Sequence, residues 1–183
     1  MENELVIYVS ASSEMDAECE LLGRLLANIT KSTRWVIKRT PGIHEHANPD
    51  LVTLKRSQFY LILMGSDITA PIGVELMAAQ EAGIPILAYR NISGTATPAA
   101  AFFVHNAGVT WTRYESPAEF IHELERELIT RLVEGTPGYG LNLSDIEDLS
   151  LRLERLKQGE QDKEVSEDKR RGAGRGGVIL PSE

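Results

Sequence analysis

Five polar side chains stand where apolar runs of this sequence give way to helices, and their types suit catalysis or ligand binding. Glu75 lies near the start of the helical stretch in "SDITAPIGVELMAAQEAG", just after the strand-like run "QFYLILMG". Ser10 and Ser12 follow the run "ELVIYVS", and Ser66 and Asp67 open the loop that leads to Glu75. A carboxylate at such a place can act as a nucleophile or stabilise positive charge that develops on a substrate. Ser10, Ser12, Ser66 and Asp67 would then contact the substrate. Each residue also has an ordinary role. A glutamate early in a helix complements the helix dipole, worth ~0.3–1 kcal/mol at an exposed site, while serines end strands or cap helices and aspartates make turns.

The elements that position these residues follow from hydrophobic periodicity. "ELVIYVS" reads as a strand and "SSEMDAECELLGRLLANIT" as a helix, with Ser13 as its N-cap and Glu14 and Asp16 in its first turn. "RWVIKR" is a second strand, closed by the turn signal "TPG", and "DLVTLKRS" a short helix. "QFYLILMG" is apolar throughout, as suits a parallel strand covered on both faces. Then come the helix "PIGVELMAAQEAG", with Pro71 at its start and Gly83 at its end, the strand "IPILAYR", the helix "TPAAAFFVHNAG", the strand "VTWT", and a helix capped at Ser116–Pro117. Trp35 and Trp111 fall on strands in this reading.

Five strands alternating with helices predict an α/β fold of flavodoxin-like type. Its five-stranded parallel sheet has the order 2-1-3-4-5, with helices on both faces. Ligands of such sheets bind outside the carboxyl ends of the strands where the order reverses, here between the first and third strands. "SASSEMD" and "GSDITAPIG" meet there, so topology alone brings Glu75 to the crevice.

Composition narrows the function classes. With 183 residues, 42% of them hydrophobic, the chain can bury one sizeable core. A net charge of −8 disfavours nucleic acid and anionic membrane surfaces as partners. The start "MENELVIYVS" lacks the pattern of a signal peptide, and no apolar run reaches membrane-spanning length. Cys19 is the single cysteine, at helical spacing from Met15, Leu22 and Leu26, and fits a small core residue in a reducing compartment. The expectation is a cytoplasmic protein. "HEH", residues 44–46, offers two imidazoles without a third ligand at a recognisable spacing, so no metal site is expected.

"VIYVSASSEMDAE" resembles the opening of Toll/interleukin-1 receptor (TIR) domains, "TPG" is similar to the proline and glycine of their BB loop, and "SQFYLILMGSDITAPIGVELMAA" resembles their third strand, serine-bearing loop and Glu-Leu helix. The resemblance runs over residues 4 to 134. "GVELMAAQEAGIPI" is similar to the same region of nucleoside 2-deoxyribosyltransferase-like proteins, which share the layout. In the enzymes of both groups a glutamate at this place acts on ribose C1′, and the resemblance implies that role for Glu75. It also implies NAD or a related nucleotide as substrate, with no separate cofactor. TIR domains usually carry a tryptophan four residues before this glutamate, where Pro71 stands here. Two function classes therefore stay open: a nucleotide N-glycosidase or glycosyl transferase, and a non-enzymatic TIR-like module that binds a nucleotide signal or a protein.

The expected domain covers residues 1–135. Residues 136–158 read as a linker, "TPGYG", and an amphipathic helix opened by a capping box from Ser144 to Glu147. Ile146, Leu149, Leu153 and Leu156 form its apolar stripe, which either packs back on the domain or pairs with a second copy. Because charge follows directly, a homo-oligomer through residues 144–156 is the expectation. Residues 159–183, charged and glycine-rich, read as disordered. The four basic residues of "KRRGAGRGG" are read as a solvated tail rather than an RNA contact.

Overall fold

The computed structural model describes residues 3–41, 45, 47–68, 71–135 and 138–172, with the side chains of residues 3, 13 and 160–172 outside the description. Five strands, β1 (Asn3–Ala11), β2 (Thr33–Arg39), β3 (Phe59–Met64), β4 (Ile86–Asn91) and β5 (Thr112–Tyr114), form one parallel sheet ordered β2-β1-β3-β4-β5. Helices α1 (Asp16–Ile29), α2 (Leu51–Leu54), α3 (Pro71–Glu81), α4 (Pro98–Asn106), α5 (Pro117–Glu134) and α6 (Leu143–Gly172) cover it. The α/β flavodoxin-like fold is thus present with the expected strand order.

Alternation along the strands divides the interior into two cores. Ile7 and Val9 of β1, Leu61 and Leu63 of β3, and Leu87 of β4 face α1 and α5. The intervening residues Tyr8, Tyr60, Ile62, Met64 and Ala88 face α2, α3 and α4. All six residues of β3 are buried, which is why this central strand shows no polar alternation. The helix boundaries follow local signals: Thr97 caps α4, Ser116 caps α5, and Gly83 takes a positive φ of 66° just past α3.

Three boundaries differ from the sequence reading. Ser13 opens a short 3-10 turn, Ser13–Met15, and α1 begins only at Asp16. Trp111 precedes β5 instead of lying in it, because its indole N–H is engaged by the Val104 carbonyl of α4 at 3.1 Å. α6 starts at Leu143, where the Asn142 side chain accepts the Asp145 N–H at 2.8 Å, so Asn142 rather than Ser144 is the cap.

The position of α6 corrects the expected pairing through residues 144–156. Leu149 is buried in the core shared by β1, β3, α1 and α5, and Ile146, Leu153 and Leu156 pack against that core. The apolar stripe is used by the chain's own domain. Asp145 holds the helix there, accepting the N–H groups of Lys31 at 3.0 Å and Ser32 at 3.2 Å together with the Ser32 hydroxyl. Tyr139 and Leu141, ahead of the helix, pack with the same core. α6 also continues to Gly172 through a stretch expected to be disordered from residue 159. Glu, Gln, Lys and Arg, which dominate that stretch, lose little rotamer freedom in a helix. The remainder of the expected tail, residues 173–183, lies outside the described residues.

No helix among the described residues is long and apolar enough to cross a membrane.

Candidate functional site

Glu75 reaches the β1–β3 crevice because it occupies the buried stripe of α3. Ile72, Glu75, Leu76 and Ala79 fall at positions i, i+3, i+4 and i+7, and all four are enclosed by the sheet. Glu75 is 0% exposed. A solvated helix-start residue is not what the fold makes of it.

The sheet face below this carboxylate is hydroxylated. Tyr8 and Ser10 lie two residues apart on β1 and so share a face, and Tyr60 of β3 sits directly opposite Tyr8. Tyr8 donates its phenolic O–H to Glu75 Oε1 at 2.8 Å. Ser10 and Thr40, the latter just past β2, both donate to Oε2, Thr40 at 2.7 Å. Tyr60 in turn donates to Ser10 Oγ at 2.8 Å. Among the described residues no lysine or arginine forms an ion pair with Glu75.

Burying one carboxylate without a countercharge costs several kcal/mol. Hydrogen bonds to a charged group contribute roughly 1.5–3 kcal/mol each, so three donors are of the size needed to offset that cost. Burial first, then the hydrogen bond to Glu75 and its charge, push the Tyr8 phenol well above the usual tyrosine range. Burial does the same for Tyr60, with the Glu75 charge adding to it. Both phenols are therefore held as O–H donors. An apolar residue at position 75 alone would leave the buried Tyr8, Ser10 and Thr40 hydroxyls without this acceptor, so the cluster holds together as a unit.

A second carboxylate bridges the mouth of the crevice. Glu14, in the 3-10 turn after β1, accepts the Ser66 hydroxyl at 2.6 Å, the Asp67 N–H at 3.2 Å and the Ser12 hydroxyl at 3.2 Å. Gly65 makes room for it, since a Cβ there would collide with the Glu14 carboxylate and the end of Met15. Partial burial raises the Glu14 pKa, but the bonds from Ser66, Asp67 and Ser12 together outweigh it and leave the group below the ordinary glutamate range. A third carboxylate, Glu18 of α1, is buried at the ends of β4 and β5, where it accepts the Tyr114 phenol at 3.1 Å and the Asn91 amide at 3.5 Å.

The five expected site residues thus divide. Ser10 and Glu75 are in direct contact, whereas Ser12, Ser66 and the backbone of Asp67 gather on Glu14. The Asp67 carboxylate turns away and accepts the Ile68 N–H and the Thr97 hydroxyl, each at 2.8 Å, tying the loop after β3 to the loop after β4. Those two bonds hold its pKa below the usual aspartate range, the backbone bond contributing most.

Sequence reasoning missed Tyr8, Tyr60, Thr40 and Glu14 as members of the site. The period-two pairing of Tyr8 with Ser10 was a readable signal, and Glu14 passed as a helix-dipole residue. His44 and His46 lie outside the described residues, and among the described residues no group of three or more His, Cys, Asp or Glu is arranged to hold a metal. A cavity of about 570 Å³ between α3 and α4, lined by Val74, Met77 and Phe102 among others, contains none of the expected site residues.

Compared with protein-family models, curated proteins and solved structures, the chain gave no match in any of the three.

Proposed function

We propose that the chain is a nucleotide N-glycosidase or glycosyl transferase that acts at the ribose C1′ of NAD or a related nucleotide, with Glu75 as its single carboxylate. The observation that carries this reading is the burial of Glu75 at the point of strand-order reversal, in a cage of hydroxyl donors. The likeness of "SQFYLILMGSDITAPIGVELMAA" to TIR domains and of "GVELMAAQEAGIPI" to deoxyribosyltransferase-like proteins supports the same assignment.

In the reaction the C1′–N bond breaks and its electron pair passes to the departing ring nitrogen. For NAD this neutralises the pyridinium, so nicotinamide leaves without needing a proton. Glu75 stabilises the ribosyl cation or bonds to C1′ in the interval, and water or an acceptor hydroxyl then completes the transfer, losing its proton to solvent. An opening step comes first, because Glu75 is enclosed. Two of its donors, Ser10 and Thr40, are short side-chain hydroxyls that reorient by rotation about one bond, without breaking the sheet.

The complete enclosure of Glu75 also favours a second reading. In a non-enzymatic TIR-like module, the ligand or partner would bind at the crevice mouth while Glu75 only ties α3 to β1 and to the end of β2. The two are separated by incubating the purified chain with NAD, related nucleotides and deoxynucleosides, at low and high protein concentration, and following products by mass. Release of free base is expected. Binding without base release across the whole panel would leave the module reading in its place.

A further inference from the structure

The grip on Glu14 has the form of an anion seat that is already filled. Two hydroxyls and one backbone N–H, from loops after β1 and β3, converge on a single carboxylate. Backbone N–H and serine O–H groups converging in this way equally suit a phosphate oxygen. Glu14 is itself largely exposed, so the contact is not forced by core packing. It reaches over Gly65, where a Cβ would collide with it.

A polar atom without a partner lies on the neighbouring strand. Arg90, next to last in β4, is in register with Met64, immediately before Gly65 and Ser66 on β3's exit. Its Nε–H is buried without a hydrogen-bond partner. A buried guanidinium N–H left unsatisfied costs about 1–3 kcal/mol or more, and an acceptor arriving with a ligand would remove that cost.

We propose that Ser12, Ser66 and the Asp67 amide form the seat for a phosphate group of the nucleotide ligand, and that Glu14 fills this seat in the free protein and is displaced when the ligand binds. The inference rests on the nucleotide reading for the identity of the ligand. Two anions cannot share one set of donors without strong repulsion, so phosphate enters only as Glu14 leaves. Glu14 thereby acts as an internal competitor that lowers the affinity for weak or singly charged anions. Its departure also frees the link between the loops after β1 and β3, above Glu75.

The test is calorimetric titration of AMP, adenosine and inorganic pyrophosphate into the full chain, Glu14→Ala, Glu14→Gln, and Glu14→Ala combined with Ser66→Ala. Glu14→Ala should bind AMP at least tenfold more tightly than the parent, with adenosine unchanged and the gain abolished by Ser66→Ala. Glu14→Gln should show a smaller gain, since it fills the seat without charge, and it serves in place of Glu14→Ala should that variant not fold. A gain for pyrophosphate but not for AMP would keep the displaced-anion seat and assign it to free phosphate instead of a nucleotide. Equal affinities of parent and folded Glu14 variants for both AMP and pyrophosphate would overturn the proposal. Absence of base release alongside a tighter phosphate site would defeat only the glycosidase reading.

Discussion

Asp145 and Glu75 are both almost fully enclosed carboxylates, and they lie at opposite edges of the sheet. Asp145 sits beside the start of β2, where two backbone N–H groups and one hydroxyl converge on it and the helix it belongs to is locked onto α1 and α5. Glu75 sits towards the carboxyl edge, and its donors are the side-chain hydroxyls of Tyr8, Ser10 and Thr40. The difference is one of adaptability. Backbone amides in a turn cannot turn away without breaking the turn, so Asp145 is a fixed clamp. Hydroxyls rotate about a single side-chain bond, so the donors around Glu75 can be exchanged while the backbone stays in place.

If that contrast holds, disturbing the α6 side should cost stability and spare the crevice. The largest effect is expected for Leu149→Ala, which empties a core position that is 1% exposed. A loss of about 2–5 kcal/mol is anticipated from burial of this kind, read as a shift in urea midpoint with base release unchanged at low denaturant. A loss below about 1 kcal/mol would mean that α6 is not packed as described.

Asp145→Ala should follow, at about 2–3 kcal/mol in all, because the two backbone N–H groups that lose their acceptor lie in a turn that water reaches. It also carries a pH signature. Burial raises the Asp145 pKa, but the bonds from Ser32 and Lys31 outweigh it and hold it below the usual aspartate range. A folded pKa below the unfolded one gives stability that is present above the unfolded value of about 3.9 and is lost as pH falls through the folded value. The parent should therefore lose more stability between pH 7 and pH 3 than Asp145→Ala does. Parallel acid profiles for the two proteins would break the clamp account.

The smallest stability effects sharpen the other side of the comparison. Tyr8→Phe removes a donor to the charged carboxylate and should cost roughly 1.5–3 kcal/mol, whereas Tyr60→Phe removes a bond between neutral hydroxyls and should cost about 0.5–1.5 kcal/mol. Chemical denaturation of the two variants side by side checks the order. Equal losses would indicate that Glu75 draws little from Tyr8.

Much of this arrangement was legible in the residues. The wholly apolar run from Phe59 to Met64 and the alternation of strands with helices were enough for the parallel sheet and its order, because periodicity is a local property of the chain. The topology also brought Ser10 and Glu75 together correctly. What the sequence did not disclose was which partner an apolar or polar face would meet. The stripe from Ile146 to Leu156 looks the same whether it faces a second copy or α1 and α5, and the decision rests on Asp145 meeting the turn at Lys31 and Ser32, more than a hundred residues away. That Glu75 would be wholly enclosed was not read, although its place in the Ile72, Leu76 and Ala79 stripe implied it. Glu14 was read through its own helix, although its partners come from the loop after β3.

The central claim, that the carboxylate of Glu75 acts on ribose C1′, is tested most directly by comparing base release from NAD by the parent chain and by Glu75→Gln, with both held well below their unfolding transitions. Because Glu75 is enclosed and accepts three hydroxyls, the variant should lose stability by about 1–3 kcal/mol, more than an exposed helix-start charge would contribute. Its turnover should fall by roughly a hundredfold or more, as when a single electrostatic stabiliser is removed. A folded Glu75→Gln that releases nicotinamide at the parent rate would contradict the account and leave Glu75 as a structural centre of the crevice.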